Sequence, residues 1–338
     1  MRILIMILIS CTTLYAAECP FSARVDSLIR QGTRLNSFAQ FDSAFATFQQ
    51  VNRLLPQHPA GSFYLAATLH SKMMHYETNR WESAFSEYRD STMSRADTWL
   101  ASRGEDPWIY FYRGIMQTYQ GHYQAKRGSL VKGFVSAEKG VDDLIRAIRL
   151  DSTCYDAYIG IGNYKYWSGK FYKYLRWLPF IRDERNQGED QVRLGMEKAC
   201  FFYWVGVNSL AWIEYDREHF EAAVRLFELG AAEFDSSLIW VWGLADTHKK
   251  AEHYPTALKY YDRIIRQVHS DSLESGYNEV LARWKAIQCL EKLELYPEII
   301  NHANAIQNRP VEACMFDKAM EYRNKTRKAQ QRAEKKLK

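Results

Sequence analysis

Two stretches of the chain, 34 residues apart, carry the same order of small and aromatic residues. Leu210-Ala211, Phe220, Ala223 and Phe227 recur as Leu244-Ala245, Tyr254, Ala257 and Tyr261. A third copy lies near the other end, where Leu28, Gly32, Phe41, Ala44 and Phe48 keep the spacing and close on Pro56. A fixed period of this length marks stacked supersecondary units, each unable to bury its apolar face alone.

The composition suits such an array. The 338 residues include 22 Tyr, 10 Trp and 17 Phe but only 8 Pro and 17 Gly, too few for a sheet-and-turn fold or a disordered chain. The net charge of +5 is concentrated at one end: Arg323–Lys338 holds eight Lys/Arg against the single acid Glu334. The remaining body is close to neutral, which argues against a nucleic-acid-binding surface.

The recurring residues resemble the tetratricopeptide repeat. The resemblance implies an all-α, right-handed superhelical solenoid of antiparallel helix pairs, six or seven in number, spanning residues 22–322. It also implies a non-catalytic scaffold with a protein or peptide partner. The first pair spans about Val25 to Pro59. A second pair, with six extra residues before Ala84, begins at Gly61-Ser62, and a longer third pair has helices near Pro107–Gly128 and Leu130–Leu150. In the fourth pair Gly162 and Gly188 stand 26 residues apart where the regular spacing is 12. Two regular repeats run from Tyr203 to Val268. A spacer, Ser270–Tyr277, precedes a last divergent pair containing Tyr296 and Ala303. The basic end reads as a frayed or solvated helix.

The resemblance places the inward face of the array on the first helix of each pair. Carried over position by position, it gives Asn163, Tyr166 and Trp167, then Asn208, Trp212 and Tyr215, then Trp242, Asp246 and Lys249. Rings supply contact area at small entropic cost and amides can bond a peptide backbone, so this set suits a peptide or protein ligand. For Trp212 and Trp242 the competing reading is packing between neighbouring pairs. Some members of the family clamp a terminal carboxylate with Lys, Asn and Arg. Asn163 and Asn208 match in part, but the basic partners are missing at the corresponding places.

The residues inserted in the fourth pair, Trp167–Ile181, form the most aromatic stretch of the chain. Phe171, Tyr172, Tyr174, Trp177 and Phe180 alternate with Lys170, Lys173 and Arg176. Two readings compete. Either the insert folds back to plug the groove or seal the join between halves, or it presents a surface to a partner or to the headgroup zone of a membrane.

Met1-Arg2 followed by apolar Ile3–Ile9 reads as an export signal covering residues 1–17, the apolar run being too short to span a bilayer. Cleavage after Ala16 or Ala17 and lipidation at Cys11, within Leu8-Ile9-Ser10-Cys11, are alternative ways of processing it. The expected location is therefore the periplasm or the outer membrane. Export makes disulfides feasible. Cys289 and Cys314 are the pair best placed for one, with two buried thiols as the alternative.

No nucleophile elbow, zinc-protease motif or phosphate-binding glycine loop is present, and the nine histidines are scattered. His70 and His75, like His248 and His253, stand five apart, which directs them to different sides of a helix. No cofactor, metal or catalytic residue is expected.

Overall fold

The computed structural model describes residues 19–172 and 183–338, the side chains at 170–172 falling outside that description. The chain is an all-α solenoid. Seven helix pairs follow in order: α1 (Ala23–Ser37) with α2 (Phe41–Leu54), α3 (Pro59–Tyr76) with α4 (Glu82–Arg103), and α5 (Pro107–Lys126) with α6 (Leu130–Leu150). Next come α7 (Tyr155–Tyr172) with α8 (Arg185–Lys198), α9 (Tyr203–Asp216) with α10 (Phe220–Glu233), α11 (Leu238–Lys250) with α12 (Tyr254–Ser270), and α13 (Tyr277–Lys292) with α14 (Tyr296–Asn308). A short 3₁₀ turn, Ala313–Met315, leads into a final helix, α15 (Phe316–Lys336).

Local chemistry sets the helix limits. The Asp106 carboxylate accepts the N–H groups of Trp108 and Ile109 at 2.8 and 3.2 Å, and Pro107 takes the first helical position of α5 without losing a hydrogen bond. Within pairs, the turn is made by a residue in the left-handed region: Ala39, Glu77, Gly128, Glu218, Glu252 or Glu294. Ala39, Glu218 and Glu252 each fall seven residues after the small residue of the first helix, so turn and crossing keep one frame.

The helices of a pair touch through residues with little or no side chain. In α5 and α6, Gly114 faces Gly140 and Gly121 faces Gly133; a Cβ built on Gly140 or Gly121 would lie 2.5 Å from the opposing carbonyl oxygen. Both pairs of glycines are spaced by seven residues, so the close approach persists along two turns of helix. Gly162 and Gly188 meet the same way in α7 and α8, placing the second helix of the fourth pair where the spacing predicts. Elsewhere a ring fills the space over a glycine, as Phe48 does over Gly32 and Phe227 over Gly243.

Two expectations need correction. The basic end is not a solvated appendage: α15 continues through Arg323 to Lys336 and buries Ala329 and Ala333 against the last pair, Arg323 donating to the Ile306 and Arg309 carbonyls while the later cations are exposed. Cys289 and Cys314 are both free thiols, Cys289 in the seam beside α12 and Cys314 with its Sγ 3.8 Å from the Glu312 carboxylate. The two halves of the chain also touch. Phe38 meets Phe234 edge to face at 4.9 Å, Arg34 pairs with Glu233, and Ser236 donates to the Phe38 carbonyl at 2.8 Å. Farther along, Thr78 donates to Glu312 at 2.7 Å, Arg80 pairs with the same carboxylate, and Asn278 donates to the His75 carbonyl at 2.9 Å. The late pairs therefore lie against the early ones.

Gly140→Ala is expected to force α5 and α6 apart at a backbone contact and to lower stability by about 1–3 kcal/mol. Urea unfolding monitored by circular dichroism checks this. An unchanged midpoint would show that the two helices separate freely.

Candidate interaction surface

The first helices α9, α11 and α13 stand side by side and carry the inward positions of the last three pairs. Asp246 is the centre of this row. Its carboxylate accepts the Tyr261 hydroxyl at 2.6 Å and the Lys285 ammonium at 2.5 and 2.7 Å. The same Lys285 Nζ lies 5.4 Å from the Trp242 ring centroid. Lys249 donates to Gln288 Oε1 at 2.7 Å, and burial together with Lys285 pulls its pKa below the ordinary value. On α9, Tyr215 sits under Lys250 at 4.8 Å, and burial followed by Asp246 pushes its phenol up to about 12. Tyr261 is fully buried, whereas Tyr215, Trp242, Asp246, Lys249 and Lys285 are half-buried.

The remaining expected positions divide. Asn208 is half-buried, and its Nδ2 has no partner among the described residues. Trp212 packs on Phe227 at 5.1 Å and on Tyr215 at 5.3 Å, mixing core and surface roles. Asn163 is a tie between helices, donating to Ser209 Oγ at 2.8 Å and to the Ile159 carbonyl at 2.9 Å. Tyr166 is 1% exposed and donates to Asp216 at 3.0 Å, so it is a buried joint and not a contact residue. Trp167 stays at the surface beside Tyr166. The N-terminal segment with Cys11, the side chains of Phe171 and Tyr172, and Tyr174, Trp177 and Phe180 lie outside the described residues.

Lys285 and Gln288 escape the sequence pattern for a simple reason. The turn residue Glu294 follows Glu252 by 42 positions, not 34, so the spacer before α13 shifts the seventh pair's inward positions out of frame. A second unforeseen group is the α8–α9 loop. Phe201 and Phe202 enter the space beside the early pairs, with Phe202 5.3 Å from Phe111 and Phe201 5.9 Å from Trp108. The buried Asp156 carboxylate fixes this loop by accepting three successive N–H groups, from Cys200, Phe201 and Phe202, at 2.7, 2.9 and 2.9 Å. Part of the inner face is thus plugged by Phe201 and Phe202, a role one reading had given to the insert.

Other titratable clusters serve the fold. Burial disfavours the charge on Glu279, yet Arg283, His269 and Arg309 around it bring its pKa below the ordinary carboxylate value. His70 and His122 share a hydrogen bond of 3.2 Å between α3 and α5, and His70 stacks on Tyr119 at 4.8 Å. The rings of His248 and His253 approach to 5.8 Å because His253 lies in the turn, off the helix that carries His248. Among the described residues no three His, Cys, Asp or Glu side chains group as metal ligands.

No family profile matches the chain, and no curated protein does. Among solved structures, a tetratricopeptide repeat protein from Parabacteroides merdae ATCC 43184 is 13% identical, with a TM-score of 0.41 over 90% of this chain and 99% of that one. The yeast Tom70 is 11% identical, with a TM-score of 0.37 over 91% of this chain and 82% of that one. The helix pairs themselves define the class: a tetratricopeptide-like helical-repeat protein.

Burial holds the pKa of His58 at about 4, of His70 at about 3 and of His75 at about 4, so all three are neutral in the fold. Below pH 6.5 the unfolded chain takes up protons that the folded chain refuses, and stability contributed by these residues is lost as the pH falls toward those values. Asp156 and Glu274, raised by burial to about 6 and about 7, act in the opposite sense. The His70 share is therefore read by difference: between pH 7 and pH 5 the urea midpoint of His70→Phe should fall less than that of the wild type. Parallel falls would show that His70 titrates normally.

Proposed function

We propose that the protein is a non-catalytic scaffold that binds a protein or peptide along α9, α11 and α13, in the cell envelope after export. One observation carries the binding assignment. Tyr215, Trp242, Asp246, Lys249 and Lys285 form a continuous half-buried row of rings and paired charges. The rings offer the anchor contacts that dominate such interfaces. Export rests on the short apolar segment before Ala17 and on Cys11.

Peptides selected from a random display library on the wild-type protein provide the test. They should bind Trp242→Ala and Tyr215→Ala at least about 30-fold more weakly, the equivalent of about 2 kcal/mol, while both variants keep their helical content. Undiminished binding to both folded variants would place the site elsewhere.

A second reading, association with a membrane surface, has its own support at the tip of the third pair. Leu130, Val131 and Val135 stand exposed there, Val131 at 79%, next to exposed Arg127 and Lys132. Phe134 lies 6.2 Å from Tyr164, which brings this tip beside the middle of α7, the helix on which the aromatic insert begins in the sequence. Apolar side chains flanked by cations suit anionic headgroups. Among the described residues no helix is long and apolar enough to cross a membrane, so association would be peripheral. Flotation with anionic liposomes should carry the wild type, and Val131→Glu should reduce the floated fraction. No flotation, or equal flotation of both proteins, would count against the tip.

A further inference from the structure

Two cysteines far apart in sequence meet beside the α8–α9 loop. Cys19 precedes α1 and Cys200 lies in that loop. The surrounding contacts fix the juxtaposition. The rings of Phe21 and Phe201, neighbours of the two cysteines in sequence, lie 6.5 Å apart. Arg30 donates from Nη2 to Cys19 Sγ at 3.1 Å, and its guanidinium carbon lies 5.4 Å from the centroid of the Phe201 ring. Each cysteine is tied down separately, Cys19 at its sulfur and Cys200 at its backbone. Arg30 positions Cys19, and Asp156 positions Cys200 through its backbone N–H at 2.7 Å.

We propose that Cys19 and Cys200 are a disulfide-forming pair that, on reaction with a disulfide-bearing donor, fastens the N-terminal segment across the α8–α9 loop. Cys19 is half-buried at the rim whereas Cys200 is 6% exposed, so Cys19 is the sulfur a donor can reach. Its thiolate attacks one donor sulfur. The donor S–S bond breaks, a mixed disulfide on Cys19 forms, and one donor thiolate leaves. Cys200 Sγ then attacks Cys19 Sγ, the mixed disulfide breaks, and the second donor thiolate departs with the proton from Cys200. The two cysteines lose two electrons and the donor disulfide is reduced to two thiols.

The surroundings fit that order of events. The Arg30 guanidinium provides positive charge at the sulfur that enters first. Burial raises the pKa of the Cys200 thiol, which suits a group that reacts only once its partner is already in place. The bond would close a very long loop, the geometry in which a crosslink restricts the unfolded chain most. It would also immobilise one wall of a cavity of about 380 Å³, since Pro20 and Phe21 line that cavity together with His58, Trp99, Arg103 and Trp108.

The test uses the full chain, incubated with glutathione disulfide, alkylated and mapped by mass spectrometry without reduction. The expected product is one linked peptide pair containing Cys19 and Cys200, lighter by two hydrogens than its parts and released by dithiothreitol. The oxidised protein should melt several degrees above the reduced one. In Cys19→Ser both the linked peptide and the redox dependence of the melting temperature should vanish, while the reduced melting temperature stays at the wild-type value. Recovery of Cys19 and Cys200 as alkylated thiols after oxidation, or a crosslink joining either of them to a different cysteine, would overturn the proposal.

Discussion

The close crossing of paired helices is the constraint on which everything else in this protein rests. Where Gly114 meets Gly140, or Gly162 meets Gly188, backbone lies against backbone with no room for a methyl group. That contact sets the angle and separation of each pair, and hence the direction in which the next pair can be laid down. Aromatic side chains accommodate the result. Phe48 lies over Gly32 and stacks on Tyr64 of the following pair at 4.9 Å, joining the crossing within one unit to the seam with the next. A larger residue at a crossing would change the position of every side chain carried by later pairs, the Asp246 row included.

The polar groups inside the array are placed by the same geometry. Asp156 reaches three N–H groups because α7 starts where the loop before α9 turns back, and that loop in turn carries Phe201 and Phe202 into the early seams. Glu279 gathers one basic side chain from its own helix and others from the segments on either side. Taking a carboxylate from water is expensive, and leaving one unpaired is more so. These acids therefore specify which segments must meet. Asp246 does this too, joining the fully buried Tyr261 to the half-buried Lys285, and it lies where the same chemistry comes nearer the surface.

Much of this was legible in the residues. The period of 34 and the small residues at Ala211, Ala223, Ala245 and Ala257 announce paired helices, and all four are fully buried. The delay from Gly162 to Gly188 correctly marks an insertion between two helices that still cross. What could not be read depends on contacts between residues about 200 positions apart. Phe38 on Phe234 and Thr78 on Glu312 follow no period, because closure arises from the summed rotation of all the pairs and not from any one motif. Of the Asp246 row, the pattern named Tyr215, Trp242, Asp246 and Lys249. It set Tyr166 on the inward face, where the ring is instead buried with its hydroxyl on the half-buried Asp216, and it missed Lys285 behind the spacer. The basic end was misread because charge dominates its composition while the alanine stripe that seats it is only Ala329 and Ala333.

The contacts of Arg34 with Glu233 and of Arg80 with Glu312 change the kind of object the array is. A linear stack behaves as a one-dimensional lattice with free boundaries: its end units have one neighbour each, and disorder enters there and moves inward. Here α1 and α3 gain neighbours from the far half of the sequence, and α15 covers the last pair. The lattice is bent toward a ring, and boundary units are turned into interior ones. Separating the ends then also breaks contacts that no single repeat contains, which couples distant pairs.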